Sequence, residues 1–183
     1  EVLELLKSNV APAFAELQAN HKKLHLRVEY LNEPFERAYP KIKAFLQDGQ
    51  FRNVLFNLDQ CGHSHVEYRI LLDIMRNYPS AEIFYTFAIE ALISFLRQSN
   101  PVALSAQLRP MGVTSADLRE LDGIANKNQW LGTAERLVFE SFKTCAPYVS
   151  PFSINNPDGW RYWLIPVCRV RWNIFRRHAS RAM

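Results

Sequence analysis

Residues 53–97 read NVLFNLDQCGHSHVEYRILLDIMRNYPSAEIFYTFAIEALISFLR, and this stretch decides the fold. A mostly apolar run at 54–58 is followed by a loop and then by apolar residues at helical spacing. A turn at 78–80 leads to a second apolar run at 81–87, and another helical pattern follows it directly. Strands that alternate with helices are typical of a parallel sheet, so the sequence predicts an α/β fold.

The N-terminal flank adds two helices and a strand to this prediction. Residues 2–20 have apolar side chains near helical spacing, and residues 24–31 (LHLRVEYL) alternate apolar with polar, which predicts a strand. Asn32 is placed to cap a helix that runs to about Leu46, and Asp48-Gly49 is placed to end it. The run at 54–58 is short and apolar enough to predict a strand buried on both faces.

The C-terminal flank predicts a different kind of strand pairing. Residues 98–128 contain scattered Pro and Gly and short helical patterns, and we interpret them as a helical insertion or lid. A long helix is predicted at 133–144. Two strands then surround an Asn-Pro-Asp-Gly turn at 156–159, which predicts an antiparallel hairpin over 149–167.

These elements together predict a partial Rossmann-type sheet, of the kind that class I methyltransferases have, with a terminal antiparallel hairpin. We expect parallel strands near 24–31, 53–58 and 81–87. The predicted organisation is a single Rossmann-like domain at 1–168, N-terminally incomplete, followed by a basic tail at 169–183. The chain starts at Glu1 rather than Met, so we expect further sequence upstream of it.

Composition narrows the class of protein. With 48% hydrophobic and 22% charged residues in 183 positions, the chain has the balance of a globular domain. It contains neither an apolar run of about 20 residues nor a recognisable signal peptide, so we expect no membrane association. Its three cysteines form no Cys-x-x-Cys pair, which argues against a zinc knuckle or a disulfide framework and predicts a cytoplasmic location.

The basic tail admits two interpretations. It carries five arginines together with Trp172 and Phe175. Arginines that pair with phosphates, and aromatic rings that stack on bases, would make a nucleic-acid contact. We favour instead a terminal helix whose two aromatic side chains pack on the domain, because the tail contains no known nucleic-acid-binding motif.

The loop after the strand at 53–58 is the predicted functional site. Ligands of doubly wound sheets bind at the carboxyl ends of the strands, and the segment 57–65 (NLDQCGHSH) offers a carboxylate, an amide, a thiol and two imidazoles there. Asp59 either faces a ligand or caps the loop. The histidines at 63 and 65 are equally compatible with solvated positions at a helix entry, and a His-x-His pair alone does not make a metal site.

Glycine placement limits which cofactors the chain alone is expected to hold. The six glycines lie at 49, 62, 112, 123, 132 and 159, so neither a Gly-x-Gly-x-x-Gly loop nor a Walker-type loop is present. We therefore expect the isolated chain to lack a cradle for a nucleotide.

The stretch 53–97 also resembles the three-Cys-motif partner family of bacteria. That family has an apolar strand ending in an Asp-Pro-x-Gly-like loop, here Asp59-Gln60-Cys61-Gly62, followed by a helix, a strand and another helix. The segments SPFSINNPDGWRYWLIPVCR (150–169) and VEYLNEPFERAYPKI (28–42) are similar to the closing hairpin of the family and to its preceding strand. The resemblance covers most of residues 24–168.

This resemblance implies a fold related to methyltransferases that use S-adenosylmethionine, with the cofactor loop absent from this chain. It also implies a partner protein that carries a three-cysteine motif. The loop at Asp59 corresponds to the (Asp/Asn)-Pro-Pro-(aromatic) motif of amino-methyltransferases, which orients the target nitrogen. The catalytic candidates are Asp59, Gln60 and His63, and the cofactor-binding candidates are Asn32 and Asn57. Neither the prolines nor the aromatic residue of that motif follows Asp59.

Three functions remain open at this point. The first is a methyltransferase-like enzyme that acts on nucleic acid or on an associated protein. The second is a non-catalytic Rossmann-type binding or scaffold module, which the missing glycine loop favours for the chain as given. The third is a nuclease that uses Asp59 and Glu82 around a metal ion, and the absence of a following Glu-x-Lys motif argues against it.

Overall fold

A computed structural model describes residues 2–23, 25–59, 66–91, 112–154 and 161–169. The chain forms two compact units, Glu1–Ile42 and Lys43–Met183. The larger unit contains the sheet.

The first unit consists mainly of helix. Helix α1 spans Val2–Asn20 with Pro12 inside it, which confirms the helix predicted there. The strand predicted at 24–31 is wrong, because residues 25–32 form no strand and position 24 lies outside the described residues. Val28 and Leu31 are both exposed. An alternating pattern makes a strand only where a neighbouring strand and an apolar surface lie beside it, and the described part of this unit provides neither.

Helix α2 spans Phe35–Asp48 and ends where the sequence predicted. The chain then leaves the helix through Gln50, whose φ of 53° lies in the left-handed region. The Phe51 N–H donates to the Leu46 C=O at 3.0 Å and closes the helix end.

The second unit is built on an open sheet of five strands. They are β1 (Asn53–Leu58), β2 (Ser80–Phe87), β3 (Tyr148–Val149), β4 (Phe152–Ile154) and β5 (Tyr162–Cys168). β1 and β2 are parallel, whereas β5 is antiparallel to β2 on one side and to β3 and β4 on the other. The strands predicted at 53–58 and 81–87 and the antiparallel pairing of the closing strands are confirmed. The turn predicted at 156–159 lies outside the described residues. The prediction of a mainly parallel sheet is wrong, since only one of the described strand pairs is parallel.

β3 and β4 are two pieces of one strand, because both keep the same register against β5. The interruption has a cause in the opposite strand. The Ser150 N–H donates to the Pro166 C=O at 3.3 Å, but Pro166 has no N–H to donate in return. One ladder bond is therefore missing at this point.

Three further helices are described in this unit. α3 spans Tyr68–Asn77, α4 spans Ser115–Leu118 and continues into a 3-10 turn at Arg119–Leu121, and α5 spans Lys127–Lys143. α5 begins earlier than the predicted 133–144 helix, because the Asn126 side chain caps it by accepting from the N–H groups of Asn128 and Gln129. Residues 89–91 are also helical, and the rest of the helix predicted there lies outside the described residues.

One face of the sheet carries the core, and we call it the covered face. Its alternating side chains are buried: Val54, Phe56, Leu58, Ala81, Ile83, Tyr85, Phe87, Trp163, Ile165 and Val167. Buried apolar residues of α3 and α5 supply the other half of this core. Phe142 of α5 lies with its ring centroid 5.6 Å from that of Tyr85 and 5.4 Å from that of Phe87.

The opposite face, which we call the outer face, carries Leu55, Asn57, Phe84, Leu164, Phe152 and Ile154 among others. These six side chains are half-buried or exposed, and Leu55 is 62% exposed. The prediction that β1 is buried on both faces is therefore wrong. The strand alternates, with Val54, Phe56 and Leu58 toward the core and the residues between them toward the outer face.

Candidate functional site

The carboxyl end of β1 places the first predicted residue at the edge of the sheet. Asp59 follows Leu58 directly and is exposed. Because β1 and β2 are parallel, both end at this edge, and the antiparallel β5 begins there. Asp59 is thus at the position where open α/β sheets bind their ligands.

The other predicted residues do not all lie beside Asp59. Asn57 is exposed and lies on the outer face of β1, one residue before the strand ends. Asn32 is exposed in the unit Glu1–Ile42. Gln60 and His63 lie outside the described residues. Of the five predicted side chains, Asn57 and Asp59 are the two that the structure describes in one unit. They are two positions apart, a spacing that places side chains on the same face of an extended segment.

A charged cluster ties together the elements at this edge. Arg161, just before β5, has its Nη1 atom 2.7 Å from Oε1 of Glu135 in α5 and its Nε atom 3.4 Å from Oε2 of Glu90. The Glu90 N–H also donates to the Arg161 C=O at 3.4 Å, which extends the pairing of β2 with β5 beyond the strands. All three side chains are partly shielded from water, so the cluster fixes α5 against the strand ends.

A cavity of about 480 Å³ lies in the same unit. Its wall is formed by the first residue of α3, by the segment 112–120 and by the second half of α5, with these lining residues: Tyr68, Gly112, Val113, Asp117, Glu120, Arg136, Leu137, Glu140, Ser141 and Thr144. Tyr68 follows the predicted site segment in sequence, and residues 60–65 of that segment lie outside the described residues. Gly112 fits here with a φ of +72°, which disfavours a side chain at that position.

A cluster of hydroxyl groups and one buried thiol lies where the start of α3 meets the end of α5. The Tyr68 hydroxyl is hydrogen-bonded to the Thr144 hydroxyl, which in turn donates to the Ser141 C=O at 2.9 Å. Burial raises the pKa of the Tyr68 phenol to about 12. Burial also raises the pKa of the neighbouring Cys145 thiol to about 12. Both groups are therefore protonated and uncharged at neutral pH, and Cys145 is not an activated nucleophile.

Ion pairs and hydrogen bonds hold the charged groups of the cavity in place. Arg136 of α5 pairs with Glu120 of the 3-10 turn. Asp117 accepts hydrogen bonds from the Thr114 N–H and hydroxyl, each at 2.7 Å, in the capping box of α4. These hydrogen bonds lower the pKa of the Asp117 carboxyl below its usual value. Glu140 pairs with Lys143 at 3.1 Å on the exposed side of α5.

The described residues lack two further features. They contain no group of three or more His, Cys, Asp or Glu side chains that could hold a metal ion. None of their helices is both long and apolar enough to cross a bilayer.

The sequence pattern did not lead us to the cavity or to the charged cluster. Thr114-Ser-Ala-Asp117 is a readable capping signature, and it could have placed one wall of the cavity at a helix start. No comparable sign exists for Tyr68, Arg136 and Thr144, which are distant in sequence and meet only through packing. Arg161 and Glu135 likewise come together only because β5 begins beside α5.

Comparison with known proteins identifies no relative. No protein-family model, no curated protein and no solved structure matches the chain.

Proposed function

We propose that the chain is part of a methyltransferase-like protein of the three-Cys-motif partner family, dependent on S-adenosylmethionine when full length, which acts with a partner protein. The observation that carries the proposal is the position of β5. The last described strand is antiparallel and lies between β2 and the interrupted strand β3–β4, which itself runs in the direction of β2. A final antiparallel strand beside a parallel pair is the arrangement that class I methyltransferases have.

The parallel pair supports the same proposal. β1 and β2 are joined through α3, which packs on the covered face, and this strand–helix–strand unit is the building block of Rossmann-type sheets. Asp59 at the carboxyl end of β1 would accept a hydrogen bond from a target amino group and orient its lone pair toward a methyl donor, a positioning role. Gln60 and His63 are the further catalytic candidates of this loop, and Asn32 and Asn57 are the candidates for holding the cofactor.

A second candidate function is a non-catalytic binding or scaffold module. The observation that favours it is the exposure of large apolar side chains on β4, where Phe152 and Ile154 are 53% and 52% exposed. Apolar side chains exposed together at one place commonly mark a surface that binds a protein partner.

A titration with S-adenosylmethionine distinguishes the two functions. We expect the protein as its gene encodes it to bind the cofactor with micromolar affinity, measured by calorimetry, and residues 1–183 alone to bind weakly or not at all. We also expect Asp59→Ala to reduce methyl transfer to an amine-bearing acceptor with little change in cofactor affinity. Asp48→Ala, an exposed acidic position at the end of α2, is the matched control. Absence of cofactor binding by the gene-encoded protein would leave the scaffold module.

A further inference from the structure

The two central strands of the sheet present a mainly apolar strip on the outer face, which we call the central strip. β2 contributes Phe84 and Thr86 to it, and β5 contributes Leu164 and Pro166, all of them half-buried. We infer that the C-terminal segment 170–183 folds back as an amphipathic helix and lies on the central strip. The inference goes beyond the proposed function, and its test uses no S-adenosylmethionine, so the two can fail independently.

The sequence of the segment has the pattern of a helix with one apolar side. Trp172, Phe175, Ala179 and Met183 recur at spacings of three and four residues, which places them on one side of a helix. The opposite side is polar and includes Arg177. A helix of this length is marginal by itself in water, so it needs an apolar surface on which to form.

The point at which the segment begins restricts the surface that it can reach. It follows β5 almost directly, because β5 ends at Cys168, and β5 lies between β2 and the interrupted strand β3–β4. The segment therefore starts from the middle of the sheet. Buried apolar residues of α3 and α5 already pack on the covered face, and the outer face is the other described apolar surface beside β5.

The dimensions of the central strip match those of one helix. A helix over residues 172–183 would be roughly 18 Å long, and the seven residues of β5 span about 23 Å, so the helix can run back along the strand. Strands are about 4.8 Å apart and a helix is about 10 Å wide, so a single helix covers two strands. Leu55 on β1 and Phe152 on β4, which are 62% and 53% exposed, lie on the flanks beyond it.

The charge of the outer face also matches the segment. Glu82 is the one charged residue among the described strand positions of this face, and it lies opposite Cys168 in the pairing of β2 with β5. The segment carries four arginines and no acidic residue. Arg171, the first of the four, would pass Glu82 as the chain turns back onto the central strip, and opposite charges favour that path.

NMR of the full chain tests the contact through ring currents. A methyl group beneath an aromatic ring is shifted upfield, so we expect the Leu164 methyl signals to move downfield in Trp172→Ala and in Phe175→Ala. The methyl signals of Ile165, on the covered face, should stay in place. Because each change removes a ring packed on the sheet, we also expect the melting temperature to fall by about 3–6 °C. Arg177→Ala, on the opposite side of the helix, is the matched control and should change neither quantity.

An exchange of charges provides a second, independent measurement. Glu82→Arg and Arg171→Glu should each move the Leu164 methyl signals downfield, and the double variant should restore them. A double variant no closer to the parent than the single ones would overturn the pairing of Arg171 with Glu82. Leu164 signals that are the same in the parent, Trp172→Ala and Phe175→Ala would overturn the inference. So would a Leu164 shift that disappears on dilution together with a dimer in sedimentation, because the occupant would then be a second copy of the chain.

Discussion

The two faces of the sheet are made from the same strands and from similar apolar side chains, yet helices bury one face and leave large side chains of the other exposed. On the covered face, Ile83, Phe87 and Ile165 are at most 1% exposed beneath α3 and α5. On the outer face, Leu55 is 62% and Phe152 is 53% exposed. A strand therefore buries an apolar residue only where another element of the protein lies over that face, and the composition of the strand does not decide which face this is.

Truncation of an aromatic ring on each face should give the largest contrast. Phe87 is fully buried and contacts the rings of Phe142 and Trp163, with centroid distances of 5.4 and 6.3 Å. We expect Phe87→Ala to lower the free energy of unfolding by about 3–5 kcal/mol. Phe152→Ala, the matched control on the outer face, should cost less than about 1 kcal/mol. Denaturant unfolding measures both, and equal losses would contradict the assignment of the faces.

The stability of the protein at alkaline pH tests the burial of the Cys145 thiol, which follows the end of α5. Cys145 is 7% exposed, and its pKa is raised from 9.0 to about 12. A group whose pKa is higher in the folded state stabilises the protein fully below its unfolded pKa, and this contribution is lost as the pH rises toward the folded pKa. We therefore expect the free energy of unfolding to fall by about 2–3 kcal/mol between roughly pH 8 and pH 11 from this thiol alone.

Two variants identify the groups behind that loss. Cys145→Ala should flatten the dependence of the unfolding free energy on pH above about 9. Tyr68→Phe should flatten it further, because the pKa of Tyr68 is raised in the same direction, to about 12. A slope that is the same in the parent and in Cys145→Ala would show that this thiol is not buried as described.

Loss of the cap of α5 should have an intermediate effect. The Asn126 side chain accepts from two backbone N–H groups at the start of this helix, each at 3.0 Å. Asn126→Ala leaves both donors without that acceptor, and we expect it to cost about 1 kcal/mol. Asn126→Asp keeps an acceptor oxygen and should stay within a few tenths of a kcal/mol of the parent. Thermal melts of the three proteins compare them directly.

The smallest effect belongs to an aliphatic side chain on the outer face. Leu55→Ala should change the free energy of unfolding by less than about 0.5 kcal/mol, as is usual for exposed positions. Its counterpart on the covered face, Ile83→Ala, should cost about 2–5 kcal/mol. If the Leu55 variant were as damaging as the Ile83 variant, the outer face at β1 would have to be covered in the folded protein.

The sequence predicted the elements whose patterns are local. α1, α2, α3, β1, β2 and the antiparallel end of the sheet follow from periodicity, from turn residues and from the Asp48-Gly49 stop. The strand expected at 24–31 failed for a physical reason. Alternation of polar and apolar residues indicates that a segment is able to form a strand, but a strand also needs a neighbouring strand and an apolar surface. Val28 and Leu31 are exposed, so this segment has no such surface.

Less of the candidate site was predictable. Asp59 was identified because its position depends only on where β1 ends. The cavity was not, since it exists only where Tyr68, Asp117 and Arg136 meet across long sequence separations. In the sequence, Arg161 stands out only as part of the closing hairpin. Its structural role comes from its ion pairs with Glu90 and Glu135, and the sequence alone does not reveal these pairs.

Pro166 has a consequence for how the protein behaves at high concentration. By removing one ladder bond, it divides the strand beyond β5 into pieces of two and three residues. Among the described strands these pieces form one edge of the sheet, and they expose Tyr148, Phe152 and Ile154. A long, flat apolar edge would be a template on which another chain could add a strand and begin to aggregate. A proline in the strand next to the edge shortens that template, and the sheet needs no charged residue in its core to achieve this.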